Sequence, residues 1–118
     1  MKTQFDRTAE DLANVVGLEH INVKVPDQRL ATLFYMTGLG FTRDPYLMTG
    51  VVNMWVNIGR SQLHLPTGKA QVLRGRIGVV VPDLKFTAKS LKAVGPALKS
   101  TKFAFQSGRG YIDVTCPW

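Results

Sequence analysis

The chain holds two histidines, His20 and His64. His20 heads the string GLEHINVKVPD (17–27), in which Ile21, Val23 and Val25 alternate with His20, Asn22 and Lys24. His64 lies in SQLHLP (61–66), between Leu63 and Leu65 and in step with Gln62. Successive residues of a strand face opposite sides, so burying the aliphatic set under a helix turns both imidazoles to the other face. Neutral imidazole is a common ligand of divalent metals, and two rings on neighbouring strands can meet one ion. An open metal centre takes three protein ligands and keeps a position for water or substrate. Here no third ligand is evident. The same parity applied to VVNMWVNIG (51–59) sends Val52, Met54, Val56 and Ile58 inward and leaves Asn53, Trp55 and Asn57 beside the histidines. A tryptophan among His, Asn and Gln on a curved sheet points to a ligand cleft, with Trp55 as a stacking surface.

The elements that position these residues come from an internal repeat. GLEHINVKVPD and RGRIGVVVPDL (74–84) align with an offset of 56, matching Ile21 with Ile77, Val23 with Val79, Val25 with Val81, Pro26 with Pro82 and Asp27 with Asp83; His20 falls opposite Arg76. Each copy reads as a period-two strand ended by Pro-Asp, the aspartate capping a helix. The first helix carries Leu30, Leu33, Phe34 and Tyr35 near one face, and Gly38 and Gly40 give the backbone freedom for its exit. The second carries Phe86, Leu91, Val94 and Leu98, and Gly95-Pro96 ends it early. Three short strands follow the first helix, at 41–47, 51–59 and 61–66, and two follow the second, at 102–108 and 111–117. The expected fold is α+β: a βαβββ unit over about 17–66, a turn-rich link over 67–75, and a second unit from 76 to 118 that lacks its last strand. That strand would take about eight residues. In the second unit the helix-free face presents Arg76, Tyr111, Asp113 and Thr115.

Composition narrows the function. With 118 residues, 45% apolar and 19% charged, the chain suits one folded, water-soluble domain and excludes disorder or a coiled coil. No apolar run approaches the roughly 20 residues of a membrane span, and the acids Asp6, Glu10 and Asp11 are unlike a targeting peptide, so the expected location is cytoplasmic. The lone Cys116 has no partner for an internal disulfide and reads as a passive side chain. Residues 1–67 balance six Lys/Arg against six Asp/Glu, whereas 68–118 set nine against Asp83 and Asp113 alone, so the whole net charge of +7 lies in the second part. Lys85, Lys89 and Lys92 form an exposed helical stripe, and no RNA-reading motif or recognition helix accompanies them, which argues against nucleic acid.

GLEHINVKVPD, followed by LFYMTGLGF and SQLHLP, resembles the vicinal oxygen chelate superfamily, which includes glyoxalase I, bleomycin- and fosfomycin-resistance proteins and extradiol dioxygenases. The resemblance spans residues 17–118 and is most specific in the first unit. It implies paired βαβββ modules whose curved sheets form a cleft, often completed across a homodimer. In that cleft a divalent ion (Fe, Mn, Ni or Zn) chelates vicinal oxygens of a small substrate. His20 and His64 match ligand positions of the family. Arg76 stands where several members place a histidine, and a guanidinium presents only donors. The family's last ligand, a glutamate on the final strand, has no counterpart.

Three readings follow. The first is a glyoxalase- or dioxygenase-like metalloenzyme on His20 and His64, with Asp113 as a candidate base or ligand. The second is a metal-free binder of a neutral or anionic small molecule, with Trp55, Asn57 and Tyr111 against the ligand and Arg76 on an anionic group. The third is an interaction module for protein or nucleic acid that uses the basic part and an unfinished sheet edge.

Overall fold

The computed structural model describes residues 13, 15–45 and 53–118. Its first half is built on a four-stranded mixed sheet. Strand β1 (His20–Asn22) leads through Val23 and Val25 to Asp27, which opens helix α1 (Gln28–Ala31). Asp27 accepts from the Leu30 amide at 3.0 Å and so satisfies one of the donors a helix start leaves open. The helix continues over Thr32–Gly38 in the wider π form, closed by Leu39 N–H donating to the Phe34 carbonyl at 2.9 Å. Wider winding shortens the angular step between neighbours, and both Phe34 and Tyr35 are buried. Burial pushes the Tyr35 hydroxyl up to about 12, with the Cys116 thiol adding to the rise.

Strand β2 (Thr42–Arg43) follows, then β3 (Asn53–Ile58) and β4 (Ser61–Pro66). The sheet order is β1-β4-β3-β2, with β1 parallel to β4 and the other pairs antiparallel. The third strand candidate, 51–59, keeps its expected parity over 53–58, whereas Val52 and part of the 41–47 candidate lie outside the described residues.

Helix α2 (Leu84–Val94) opens the second half, capped by Asp83, which accepts from the Lys85 and Phe86 amides at 3.0 and 3.2 Å. It tightens into a 3-10 turn over Gly95–Leu98, where proline withholds a donor. Strands β5 (Ala104–Ser107) and β6 (Ile112–Thr115) pair as an antiparallel two-stranded sheet. Among the described residues no helix is long and apolar enough to cross a membrane.

One core joins the halves. Val25, Val56, Leu65 and Leu98 are fully buried, with Val94, Phe34 and Met54 beside them; each such side chain contributes roughly 1.5–3 kcal/mol of transfer free energy. At the crossing of the two helices Gly38 lets the backbone approach α2: a Cβ there would stand 3.2 Å from Val94 Cγ2 and 3.3 Å from Leu91 Cδ2. The helix exit is the task of Gly40, at φ +85°. Gly38 is thus a packing glycine, not the exit residue its position in the sequence suggests.

Two further expectations change. Residues 76–81, the matched copy of the first strand, form no strand, because among the described residues no neighbouring segment supplies the hydrogen bonds that make an alternating sequence a strand. Phe86, expected on the buried face of the second helix, is 68% exposed. It sits in the first turn, ahead of the part of α2 that meets the core.

Candidate functional site

The helix-free face of the first sheet is assembled by register. His64 pairs with Asn22 on one side and with Trp55 on the other, giving the row Asn22–His64–Trp55. The next row runs His20–Gln62–Asn57–Thr42. Under them Ile21, Leu63 and Val56, then Val23, Leu65 and Met54, turn to the helices. The parity expected from the sequence therefore holds across β1, β3 and β4.

Three rings occupy the middle of this face. Trp55 stacks on His64 with centroids 4.1 Å apart and planes 9° apart, and His20 meets Trp55 at 5.0 Å, tilted by 58°. Around them lies an amide network. Gln62 Nε2 donates to both Asp44 Oδ2 and Asn57 Oδ1 at 2.8 Å. The two ring nitrogens of His64 are both engaged, Nδ1 by the Asn22 amide at 3.0 Å and Nε2 by the Asn53 amide. Burial holds the His64 imidazole below its ordinary range, with the neighbouring His20 adding to the effect. The neutral ring has one donor and one acceptor, so one amide presents its oxygen and the other its NH2, the two ends of an amide being exchanged by a flip.

This donor set does not fit a metal ion. The single lone pair of neutral His64 is used by an amide, and a metal would have to break that bond. His20 Nδ1 lies 3.2 Å from Glu19 Oε1, but that carboxylate belongs to an exposed side chain. Among the described residues no group of three or more His, Cys, Asp or Glu side chains is placed to hold an ion.

The remaining candidates form a separate set. Arg76 Nη1 donates to Asp113 Oδ1 at 2.5 Å, both side chains being well exposed. Tyr111 lies over the β5–β6 turn, where its ring approaches Gly108 so closely that a Cβ would stand 2.1 Å from Cζ. The structure brings His20, Trp55, Asn57 and His64 together on one sheet, and among the described residues no hydrogen bond, ion pair or ring contact joins Arg76, Tyr111 or Asp113 to them. Sequence parity placed Asn22, Asn53 and Gln62 on the face without a role. Their part as the network that fixes His64 and Asn57 is set by cross-strand register. Asp44 was missed, since the short β2 gives little alternation to read.

No family profile and no curated protein matches the chain by sequence. Solved structures do match in shape. A glyoxalase family protein from Bacillus anthracis superposes with a TM-score of 0.57 at 16% identity over 88% of each chain. The fosfomycin resistance protein FosX from Listeria monocytogenes gives 0.56 at 16% identity, over 83% of this chain and 74% of that one. An integron cassette protein from the mobile metagenome of Halifax Harbour sewage outfall gives 0.51 at 17% identity, over 87% and 91%. The chain thus has the α+β fold of glyoxalase-like proteins.

Proposed function

We propose that the protein is a metal-independent small-molecule binder of glyoxalase-like fold, with the Trp55–His64–His20 face as its binding surface. The observation that supports this most directly is the engagement of both His64 nitrogens by Asn22 and Asn53 while its ring stacks on Trp55. A ring locked in that way is a platform rather than a ligand. Planar aromatic surfaces attract planar solutes through offset stacking, and the flanking Asn57 and Gln62 offer hydrogen-bonding groups that orient a polar edge. The ligand class is a planar, polar, neutral or anionic molecule, since among the described residues the carboxylates near this face are already engaged, Asp44 by Gln62 and Glu19 by His20.

The test uses a Trp118→Phe background, in which Trp55 is the sole indole. Its fluorescence is titrated with adenine and nicotinamide as neutral probes and 4-hydroxybenzoate as an anionic one, with and without EDTA. Saturable quenching that is indifferent to EDTA and weakens about tenfold in His64→Ala, the loss of one stacking contact, is the expected result. The metalloenzyme reading predicts the reverse: flat titrations with the organic probes, and a melting temperature raised by Ni²⁺, Zn²⁺, Mn²⁺ or Fe²⁺ in wild type but not in His20→Ala or His64→Ala.

A further inference from the structure

Two amides on the helix-free face have their ends fixed by their neighbours. Gln62 Nε2 donates to Asp44 Oδ2 and to Asn57 Oδ1, both at 2.8 Å. The two ends of an amide are exchanged by a flip, and the surrounding groups decide between the settings. A carboxylate only accepts, so Gln62 turns its NH2 to Asp44. The second hydrogen of that NH2 needs an acceptor, so Asn57 turns its oxygen to Gln62. Asp44 thus sets the polarity of both amides, and its own backbone is held where its N–H donates to the Trp55 carbonyl at 2.9 Å. One group of each kind is left over. Among the described residues no hydrogen bond engages Asn57 Nδ2 as a donor or Gln62 Oε1 as an acceptor. The two residues are half-buried and pair across β3 and β4. Each stands two residues along its strand from a ring of the platform, Asn57 from Trp55 and Gln62 from His64, a step of ~7 Å. A planar ring on the platform with an amide one bond away spans such a step once a hydrogen bond of about 2.9 Å is added.

We propose that Asn57 and Gln62 select a neutral amide edge, so that the ligand of the platform is an aromatic carboxamide or lactam. Its carbonyl oxygen accepts from Asn57 Nδ2, and its N–H donates to Gln62 Oε1. This selection rests on the binding function proposed above and narrows its ligand class. A carboxylate answers Asn57 but sets its second oxygen against the oxygen of Gln62. An amidinium answers Gln62 but sets its second NH2 against that of Asn57. A polar group of the site left without a partner is what separates ligands of equal shape.

Four ring compounds of similar size test this by isothermal titration calorimetry on the full chain. Nicotinamide carries a donor and an acceptor side by side, and methyl nicotinate carries acceptors alone at the same zero charge. Benzamidine carries donors alone, and phenyltrimethylammonium has the same positive charge with no donor. Nicotinamide is expected to bind at least about tenfold more tightly than methyl nicotinate. In Asn57→Asp one carboxylate oxygen still accepts from Gln62, and the other stands where the NH2 was. There nicotinamide is expected to weaken at least about tenfold and benzamidine to strengthen at least about tenfold. Phenyltrimethylammonium, which reads charge alone, gains less than about threefold. Equal binding of nicotinamide and methyl nicotinate, with both weakened in His64→Ala, keeps the platform and overturns the selection of an amide edge. Equal gains by the two cations in Asn57→Asp overturn it as well, since charge alone then explains them. So does a parallel loss of all four compounds in that variant, which gives Asn57 a structural part only. No saturable binding of any of the four overturns both this selection and the binding function on which it rests.

Discussion

Residues 20–26 and 76–82 carry the same message in sequence and meet different fates. Both alternate aliphatic with other residues, both stop at Pro-Asp, and both aspartates cap the following helix. Yet Val23 is 6% exposed and its counterpart Val79 42% exposed. The local part of the message, the proline stop and the cap, is executed in both copies because it needs only the next turn of chain. The strand part depends on a neighbour. In the first copy β4 returns alongside and supplies acceptors, donors and the leucines that close the core. In the second no described segment does so. Alternation in sequence is thus a conditional statement about burial, whereas a capping aspartate is nearly unconditional.

The difference can be measured by removing one large apolar side chain from each half. Leu65→Ala deletes a fully buried residue at the centre of the first sheet and is expected to cost about 2–5 kcal/mol. Phe86→Ala deletes a larger side chain from the second half, but one already in water, and is expected to stay within about 0.5 kcal/mol. Urea denaturation of both variants checks this. A Phe86→Ala loss comparable with that of Leu65→Ala would mean that the second half has cover in solution and that the contrast between the copies is false.

The joint between the halves gives the next largest effect. Gly38 faces Leu91 and Val94 at near-contact, so Gly38→Leu must push α2 away or distort the π turn, at about 1–3 kcal/mol. Gly40→Ala acts through backbone strain at its positive φ instead, and the space around it is open. The useful readout is which half opens first. If the joint couples them, hydrogen exchange of α2 and β5–β6 accelerates in Gly38→Leu but not in Gly40→Ala, whereas uniform acceleration in both variants would mean that Gly38 has no special place between the halves.

Much of the first half was legible because its signals are redundant. Parity on three strands, two leucines in SQLHLP and the Pro-Asp stop agree with one another, and agreement across levels is what makes a segment predictable. The face bearing His20, Trp55, Asn57 and His64 follows from that parity alone. What parity does not carry is the chemistry of the imidazoles. Two histidines on one face suggest a shared ion, but the cross-strand register sets Trp55 and Asn22 against His64, and the diagonal Asn53 takes its other nitrogen. Register depends on turn geometry and on pairing between distant segments, neither of which is written at position 64. The second half was less legible for the reason the repeat exposes: RIGVVVPDL reads as a strand to any rule that looks only along the chain.

The smallest effect is the most selective test of the site. Burial and His20 together disfavour the proton on His64 in the folded protein, whereas the unfolded chain binds it with the ordinary affinity of histidine, near pH 6.5. The unfolded state therefore takes up a proton that the folded state refuses. The stability linked to His64 is complete above about pH 6.5 and is lost as the pH falls through the lowered folded value. The chain has no other histidines than these two, and both are in the first half, so any titration in this window reports on that half alone. The expected result is a melting temperature that declines modestly between pH 7.5 and 5.5 in wild type and more gently in His64→Gln. In His20→Gln, where one source of repulsion is gone, the decline is intermediate. A slope unchanged by His64→Gln would mean that the ring is free to protonate and is not held between Asn22 and Asn53. The contrast between a locked face in one half and an exposed strand copy in the other would then lose its first member.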